Sequence, residues 1–425
     1  MQKEPVISII GGTIWGNRGA EAMLTTCIGR LRDAFPQARF NIFSYYPQKD
    51  RELVADKRIQ VLSAKPLSLA TRHFFGALLG AAFKKLNITI PASSFFKAAH
   101  ALSTSDVLLD IGGITFSDGR EKFLPFNILS IWPAMLLGVP VVKMSQALGP
   151  FRKALNRCCA AYFLRRCRHI YARGEQTVQH LDEINLPRDQ YDPATDMAFL
   201  YEPRYSLSHE NEDQVQLLVS QIKAEKKRGR KVIVFSPSVL VENESRKKGL
   251  DYGERFLDVV RSLPSGQFFY LFMPNATRAA SQKPHNNDLL TIMNIKQQAQ
   301  QDNLAHELFP SIAWVDYDIN TDTIRQIVAQ ADVLVTSRYH AMISGLCLAV
   351  PTIVMGWGHK YLETMRYFDL QDYSLDFSNT SISLCSLIEK ALHETVPIQQ
   401  KIRNHQKKVR DLSEQPFLWL KDLLS

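Results

Sequence analysis

The run Asp332-Val333-Leu334-Val335-Thr336-Ser337-Arg338-Tyr339-His340-Ala341-Met342-Ile343 changes character in its middle. Its first five residues are a short β-branched and apolar stretch, the mark of a buried strand. From Ala341 the chain turns to small and apolar residues through Cys347, a helix pattern. A strand that feeds a helix with no room for a hairpin belongs to a βαβ unit, hence to a parallel sheet. In such sheets ligands gather beyond the C-terminal strand ends, where helix N-termini offer N–H groups and partial positive charge. Arg338 offers a planar fork for carboxylate or phosphate there, and His340 exchanges a proton near neutral pH. Two readings of the pair stand side by side. One is an anionic substrate with proton transfer; the other is an arginine paired to a structural acid and a histidine capping its own helix.

The same alternation extends outward in both directions. Apolar strand candidates are Val6–Ile10, Arg39–Tyr45, Val107–Ile111, Val139–Met144, His169–Ala172, Val232–Ser236, Gln267–Phe272, Ala313–Val315, Val333–Thr336 and Thr352–Met355. Helical patterns separate most of them, among them Ala20–Ala34, Asn156–Cys167, Gln176–Ile184, Asp213–Arg228, Gly253–Leu263 and Thr323–Ala331. The expectation is an α/β protein of two Rossmann-like domains facing a central cleft. A chain of 425 residues exceeds one hydrophobic core, which agrees. The polar stretch Tyr201–Ser208 reads as the linker, giving domains over 1–202 and 209–395. A basic helix and then an apolar one, over 396–425, pack across them. Neither half carries a G-x-G-x-x-G dinucleotide fingerprint.

Composition narrows the classes. The hydrophobic fraction of 45% and charged fraction of 22% suit a folded globular chain. A net charge of +9 favours acidic partners, but the basic residues are dispersed and no nucleic-acid motif accompanies them. The six cysteines form no C-x-x-C pair, which fits free thiols in a reducing cytoplasm and no metal site. The chain enters a strand at Val6 with no apolar leader before it, so a cytoplasmic protein is expected. The run His73–Phe83, ended by Lys84 and Lys85, is too short to span a bilayer. Its plainer reading is a buried helix. Its sharper one is a surface helix meeting lipid or a lipid-linked substrate, with Arg72, Lys84 and Lys85 at the headgroups, at the inner face of the cytoplasmic membrane.

Further polar residues fall at strand ends. After the first strand, Gly11-Gly12-Thr13-Ile14-Trp15-Gly16-Asn17-Arg18-Gly19-Ala20-Glu21 offers Asn17 to a hydroxyl. Glu21 in the first helical turn serves either the helix dipole or the ligand. Gly112-Gly113 is followed by Asp118, a ligand contact or ordinary turn chemistry. Gln146 ends the next strand, and Arg173 the one after, with Glu175 as its alternative, structural partner. Beyond Thr352–Met355, Trp357, His359 and Lys360 are offered, the lysine as a point charge for phosphate.

The ordered set Gly16-Asn17-Arg18-Gly19-Ala20-Glu21-Ala22, Gly112-Gly113 with Asp118, Ser145 to Pro150, Arg173-Gly174-Glu175, Asp196 to Phe199, Arg338-Tyr339-His340 and Pro351 to Lys360 resembles the polysaccharide pyruvyl transferase family. The resemblance implies a GT-B-like fold, phosphoenolpyruvate as co-substrate without any other cofactor or metal, and a sugar or lipid-linked oligosaccharide acceptor. It maps the family's donor-binding arginine and R-x-H pair onto Arg173, Arg338 and His340. Joined to the strand-end residues above, the expectation is a donor held by Arg173, Arg338, Tyr339 and Lys360, acid catalysis by His340, and an acceptor met by Asn17, Glu21, Asp118 and Gln146. The chain departs from the family pattern at Ala20, often an aspartate, and at Ile114, often a third glycine; both bear on acceptor identity. Two other functions stay open. One is a GT-B glycosyltransferase using a nucleotide sugar, and the other a non-catalytic relative that binds glycans.

Overall fold

The computed structural model describes residues 4–91, 93–202, 211–278, 286–301, 308–356 and 359–425. Trp357 and most of the expected linker lie outside them, and for His359 only the backbone is described. The chain divides into two compact units. The first comprises Met1–Trp15, Ala20–Leu207 and Arg410–Ser425, the second Gly16–Gly19 and Ser208–Val409.

Runs such as Val6–Ile10 and Val333–Thr336 are apolar at nearly every position, because helices cover both faces of a parallel sheet and leave no solvent side. In the first unit these runs form β1 (Val6–Ile10), β2 (Arg39–Ser44), β3 (Ile59–Ser63), β4 (Val107–Asp110), β5 (Ile114–Thr115), β6 (Val141–Leu148), β7 (His169–Arg173) and β8 (Tyr191–Ala194). They pair in the order β3-β2-β1-β4-β6-β7-β8, with β5 added against β6. The second unit has β9 (Lys231–Ser236), β10 (Phe268–Phe272), β11 (Ile312–Trp314), β12 (Val333–Thr336), β13 (Thr352–Gly356) and β14 (Ser374–Asp376), in the order β11-β10-β9-β12-β13-β14.

Every pairing is parallel, as the alternating pattern predicts. Both sheets reverse direction next to their first strand, between β1 and β4 and between β9 and β12. That reversal opens a crevice at the carboxyl ends of the strands. Each sheet has its own core. Ile10, Leu108 and Ile170 lie in the first; Val234, Leu271 and Leu334 lie in the second, all buried. Fully burying one such side chain stabilises by about 1.5–3 kcal/mol.

The C-terminal stretch is one helix, Thr395–Leu424, and not the two expected. Pro416 lies inside it. A proline forfeits one helical hydrogen bond, and here packing outweighs that loss. Phe417 and Leu420 are buried beside it, and Trp419 stacks on His169 at 5.0 Å between ring centroids.

Candidate active site

In the second unit the strand ends at the reversal point are laced together. Ser337 N–H donates to Ser236 C=O (3.0 Å), and Thr336 Oγ1 donates to the same carbonyl (3.1 Å) while accepting from Arg338 N–H (2.9 Å). This fixes Arg338 in extended backbone, φ −112° and ψ 125°, as the cap of the helix Tyr339–Cys347. Tyr252 braces the turn from beneath. Its hydroxyl donates to Ser337 Oγ (2.6 Å) and accepts from Ser238 N–H (3.1 Å), and burial pushes the phenol pKa well up.

The Arg338 guanidinium is held by groups that its local sequence does not announce. Nε donates to Asp288 Oδ1 (3.1 Å), Nη2 donates to the same oxygen, and Nη1 donates to Asn286 Oδ1 (2.9 Å). Asp288 is wholly buried and also accepts from the N–H groups of Val239 (3.1 Å), Asn275 (3.1 Å) and Ala276 (2.8 Å). A carboxylate so anchored is a fixed counter-charge. Arg338 does pair with a structural acid, then, but among the described residues that pairing engages only part of the five-donor fork. The rest can meet an anion.

His340 sits in the first turn of the same helix, half-buried. Its ring lies against Gly19, where a β-carbon would come within 1.9 Å of Nδ1. The turn Gly16–Gly19 therefore belongs with this site, and Asn17 with it, rather than with the first unit where the acceptor was expected. Arg18 anchors the turn. Its side chain is buried against Thr277 Oγ1 (3.5 Å) and Asp318 (3.4 Å), and its N–H donates to Asn275 C=O (3.2 Å). Asn17 Oδ1 accepts from Gly19 N–H at 3.1 Å, which shapes the turn. Gly16 has φ +82°, a conformation that glycine adopts without penalty.

Other expectations for this unit separate. Lys360 stands over the rings of Tyr339 (4.7 Å) and Tyr361 (5.2 Å). Tyr361 in turn donates to Ser337 C=O (3.0 Å), so the lysine is carried on the scaffold of the turn. Tyr339, expected on the donor, has a buried side chain whose hydroxyl shares a hydrogen bond with Thr364 Oγ1 (3.0 Å). Ser236 Oγ, at the end of β9, is fully buried with no partner among the described residues.

The residues expected in the first unit mostly hold that unit together. Arg173 is buried, donating from Nη1 to Asp196 Oδ2 and from Nη2 to Gly113 C=O (2.6 Å). Its structural partner is Asp196, while Glu175, the expected one, is exposed. Gln146 is fully buried; Nε2 donates to Asp110 C=O (2.9 Å), and Oε1 accepts from Thr115 Oγ1 (2.7 Å). Beside it Lys143 and Asp110 form a buried ion pair at 2.7 Å. Asp118 accepts from the N–H groups of Arg152 (2.6 Å) and Lys153 (3.1 Å) and from Asn156 Nδ2 (2.9 Å), closing the start of the helix Ala154–Leu164. These contacts of Arg173, Gln146 and Asp118 are all internal to the first unit. Glu21 is also fully buried.

The sequence reading missed Asp288, Asn286, Arg18 and Asp50. Asp50 is buried in the first unit and accepts from Thr13 Oγ1 (3.0 Å) and from the N–H groups of Ile14 (3.2 Å) and Trp15 (2.8 Å), so it shapes the loop after β1. Burial pushes its pKa up, and the hydrogen bonds only partly offset this. Each of the four lies far along the chain from what it holds, and an acid in a first helical turn was the only local signal.

Comparison with known proteins now bears on this geometry. The family described as polysaccharide pyruvyl transferase matches residues 17–359, from the turn that meets His340 to the helix that carries Lys360. The chain belongs to the polysaccharide pyruvyl transferase family. Among characterised relatives of this pyruvyl transferase family member is the amylovoran biosynthesis protein AmsJ of Erwinia amylovora. It is 20% identical over 418 residues, covering 93% of this chain and 94% of AmsJ. Among solved structures, a putative UDP-N-acetylglucosamine 2-epimerase from Listeria monocytogenes is similar at a TM-score of 0.57 and 10% identity, over 97% of this chain and 94% of that one. Anabaena Alr3699/HepE in complex with UDP follows at 0.56 and 11%, over 97% and 95%. These likenesses are of fold, and they set this pyruvyl transferase family member among GT-B-like α/β proteins.

Proposed function

We propose that this protein transfers pyruvate from phosphoenolpyruvate to a sugar of a cell-surface polysaccharide or its lipid-linked precursor, forming a pyruvate ketal. The observation that carries the reading is the Arg338–His340 turn, a guanidinium fixed by buried Asp288 two residues before an imidazole in a helical first turn. Phosphoenolpyruvate presents a carboxylate and a phosphate, and a rigid guanidinium with a helix N-terminus suits such an anion. Lys360 adds a point charge at the same turn.

The chemistry asks for a proton on the methylene carbon. His340, protonated, delivers it; the carbon becomes a methyl group and its neighbour takes on oxocarbenium character. A sugar hydroxyl adds to that neighbour, and its proton passes to the phosphate group. The C–O bond to phosphate then breaks, with Arg338 stabilising the departing charge. A second hydroxyl closes the ketal and restores the proton, so donor and diol become ketal and phosphate. Asn17, on the turn that meets His340, is placed to orient a hydroxyl.

The test is thermal stability with phosphoenolpyruvate, UDP and CMP in parallel, together with release of phosphate on addition of acceptor glycan. A ligand present at a hundredfold over its dissociation constant stabilises by about 2.7 kcal/mol. A shift with phosphoenolpyruvate that Arg338→Ala abolishes supports the donor. A shift with UDP or CMP alone makes the protein a nucleotide-sugar glycosyltransferase. Acceptor binding without phosphate release makes it a glycan-binding relative.

A further inference from the structure

The helical run Pro66–Lys85 in the first unit is built inside out. It begins three residues after β3, passes through a wide turn in which Phe74 N–H donates to Leu69 C=O, and continues as the helix Phe74–Lys85. A helix on a soluble domain ordinarily turns its bulky apolar stripe to the core. In the helix Phe74–Lys85 the buried positions are small residues, Gly76, Ala77 and Gly80, while Leu69 and His73 are buried in the turn before it. A β-carbon on Gly80 would stand 2.7 Å from Ile90 Cδ1, so the close packing depends on its absence.

The bulky residues face solvent. Leu67 is 75% exposed, Phe75 51%, Leu78 47% and Leu79 44%, at spacings that put them on one side of a helix. Leu86, at 69%, continues the stripe, and Ile88 and Phe95 extend it into the following loop. Contiguous exposed apolar surface of this kind marks a contact site.

Charge selects the partner. From Lys57 to Ser105 the chain holds seven lysines and arginines and no aspartate or glutamate. Lys65, Arg72, Lys85 and Lys97 are exposed around the stripe. Lys84, expected among them, instead donates to Leu137 C=O at 3.1 Å. An apolar face edged by cations and free of acids is the pattern of a helix lying in a bilayer interface. Among the described residues no helix is long and apolar enough to cross a membrane.

We infer that the Leu67–Phe95 face docks on an anionic phospholipid bilayer, with the leucines and Phe75 below the headgroups and Lys65, Arg72, Lys85 and Lys97 among the phosphates. The inference rests on the first unit's surface alone and stands whatever the donor proves to be. Vesicle flotation tests it on the full chain. Vesicles with a third phosphatidylglycerol should carry the protein, and pure phosphatidylcholine should carry far less. Leu78→Gln with Leu79→Gln, both at exposed positions, should lower partition into anionic vesicles at least tenfold, and so should Lys65→Glu with Lys97→Glu. Thermal melts of both double variants check that they fold. No flotation with anionic vesicles, or flotation that neither pair alters, overturns the inference. So does a dimer in sedimentation equilibrium that the leucine pair dissolves, since the face would then be a protein interface.

Discussion

Gly19 lies against the imidazole of His340, leaving no room for even one carbon between them: a β-carbon there would be 1.9 Å from Nδ1. An added methyl group must displace the ring, since it would also stand 2.4 Å from Cγ. Alanine also favours the helix that begins at this turn, by about 1 kcal/mol over glycine. Gly19→Ala should therefore keep its melting temperature within a few degrees of wild type while turnover falls by roughly 10²-fold or more, the scale of a lost general acid. Paired melting and phosphate-release measurements check this. Unchanged turnover would remove His340 from the reaction.

Asp288 tests the other half of the site. Asn in its place keeps the size but loses the charge opposite Arg338 and can accept fewer of the N–H groups of Val239, Asn275 and Ala276. Uncoupling a buried pair costs about 3–5 kcal/mol. Urea denaturation of Asp288→Asn should show a loss on that order, and the stabilisation by phosphoenolpyruvate should disappear with it.

Arg173 separates a structural from a donor-binding arginine. Its contacts with Asp196 and Gly113 predict that Arg173→Gln destabilises by about 3 kcal/mol or more, yet retains a thermal shift with phosphoenolpyruvate. A folded variant with no such shift would return Arg173 to the donor site.

His73 gives the first unit a pH dependence. It is buried, donates from Nε2 to Ser63 C=O at 2.7 Å, and burial lowers its pKa to about 4 from an ordinary 6.5. The unfolded chain thus binds its proton first as pH falls. The stability that neutral His73 supplies is complete above about pH 6.5 and is lost progressively toward pH 4, by on the order of 3 kcal/mol. Denaturation midpoints across that window should fall more steeply for wild type than for His73→Gln, which keeps a donor but cannot titrate.

The sheets were legible wherever strands are central, because burial on both faces writes an uninterrupted apolar run, as in Val232–Ser236. Edges were not. Ile59–Ser63 alternates with polar residues, Tyr191–Ala194 carries Asp192 and Pro193, and Ser374–Asp376 is three residues long. Each pairs on one side only, so it needs less apolar surface. At the site, Arg338 and His340 could be read because the strand-to-helix change surrounds them. Asp288 could not, since 50 residues separate it from the arginine it fixes. Asp118 and Gln146 show why a strand end alone does not decide a role, since a polar side chain there serves a neighbouring backbone as readily as a ligand.

The division of the chain also bears on how it is made. The first unit takes in Arg410–Ser425, where Ser413 Oγ hydrogen-bonds Thr195 Oγ1 at 2.6 Å in the interior and Trp419 covers His169. Those residues are synthesised after Val409, the last residue of the second unit. Until then the patch around His169 and Thr195 lacks the segment that covers it.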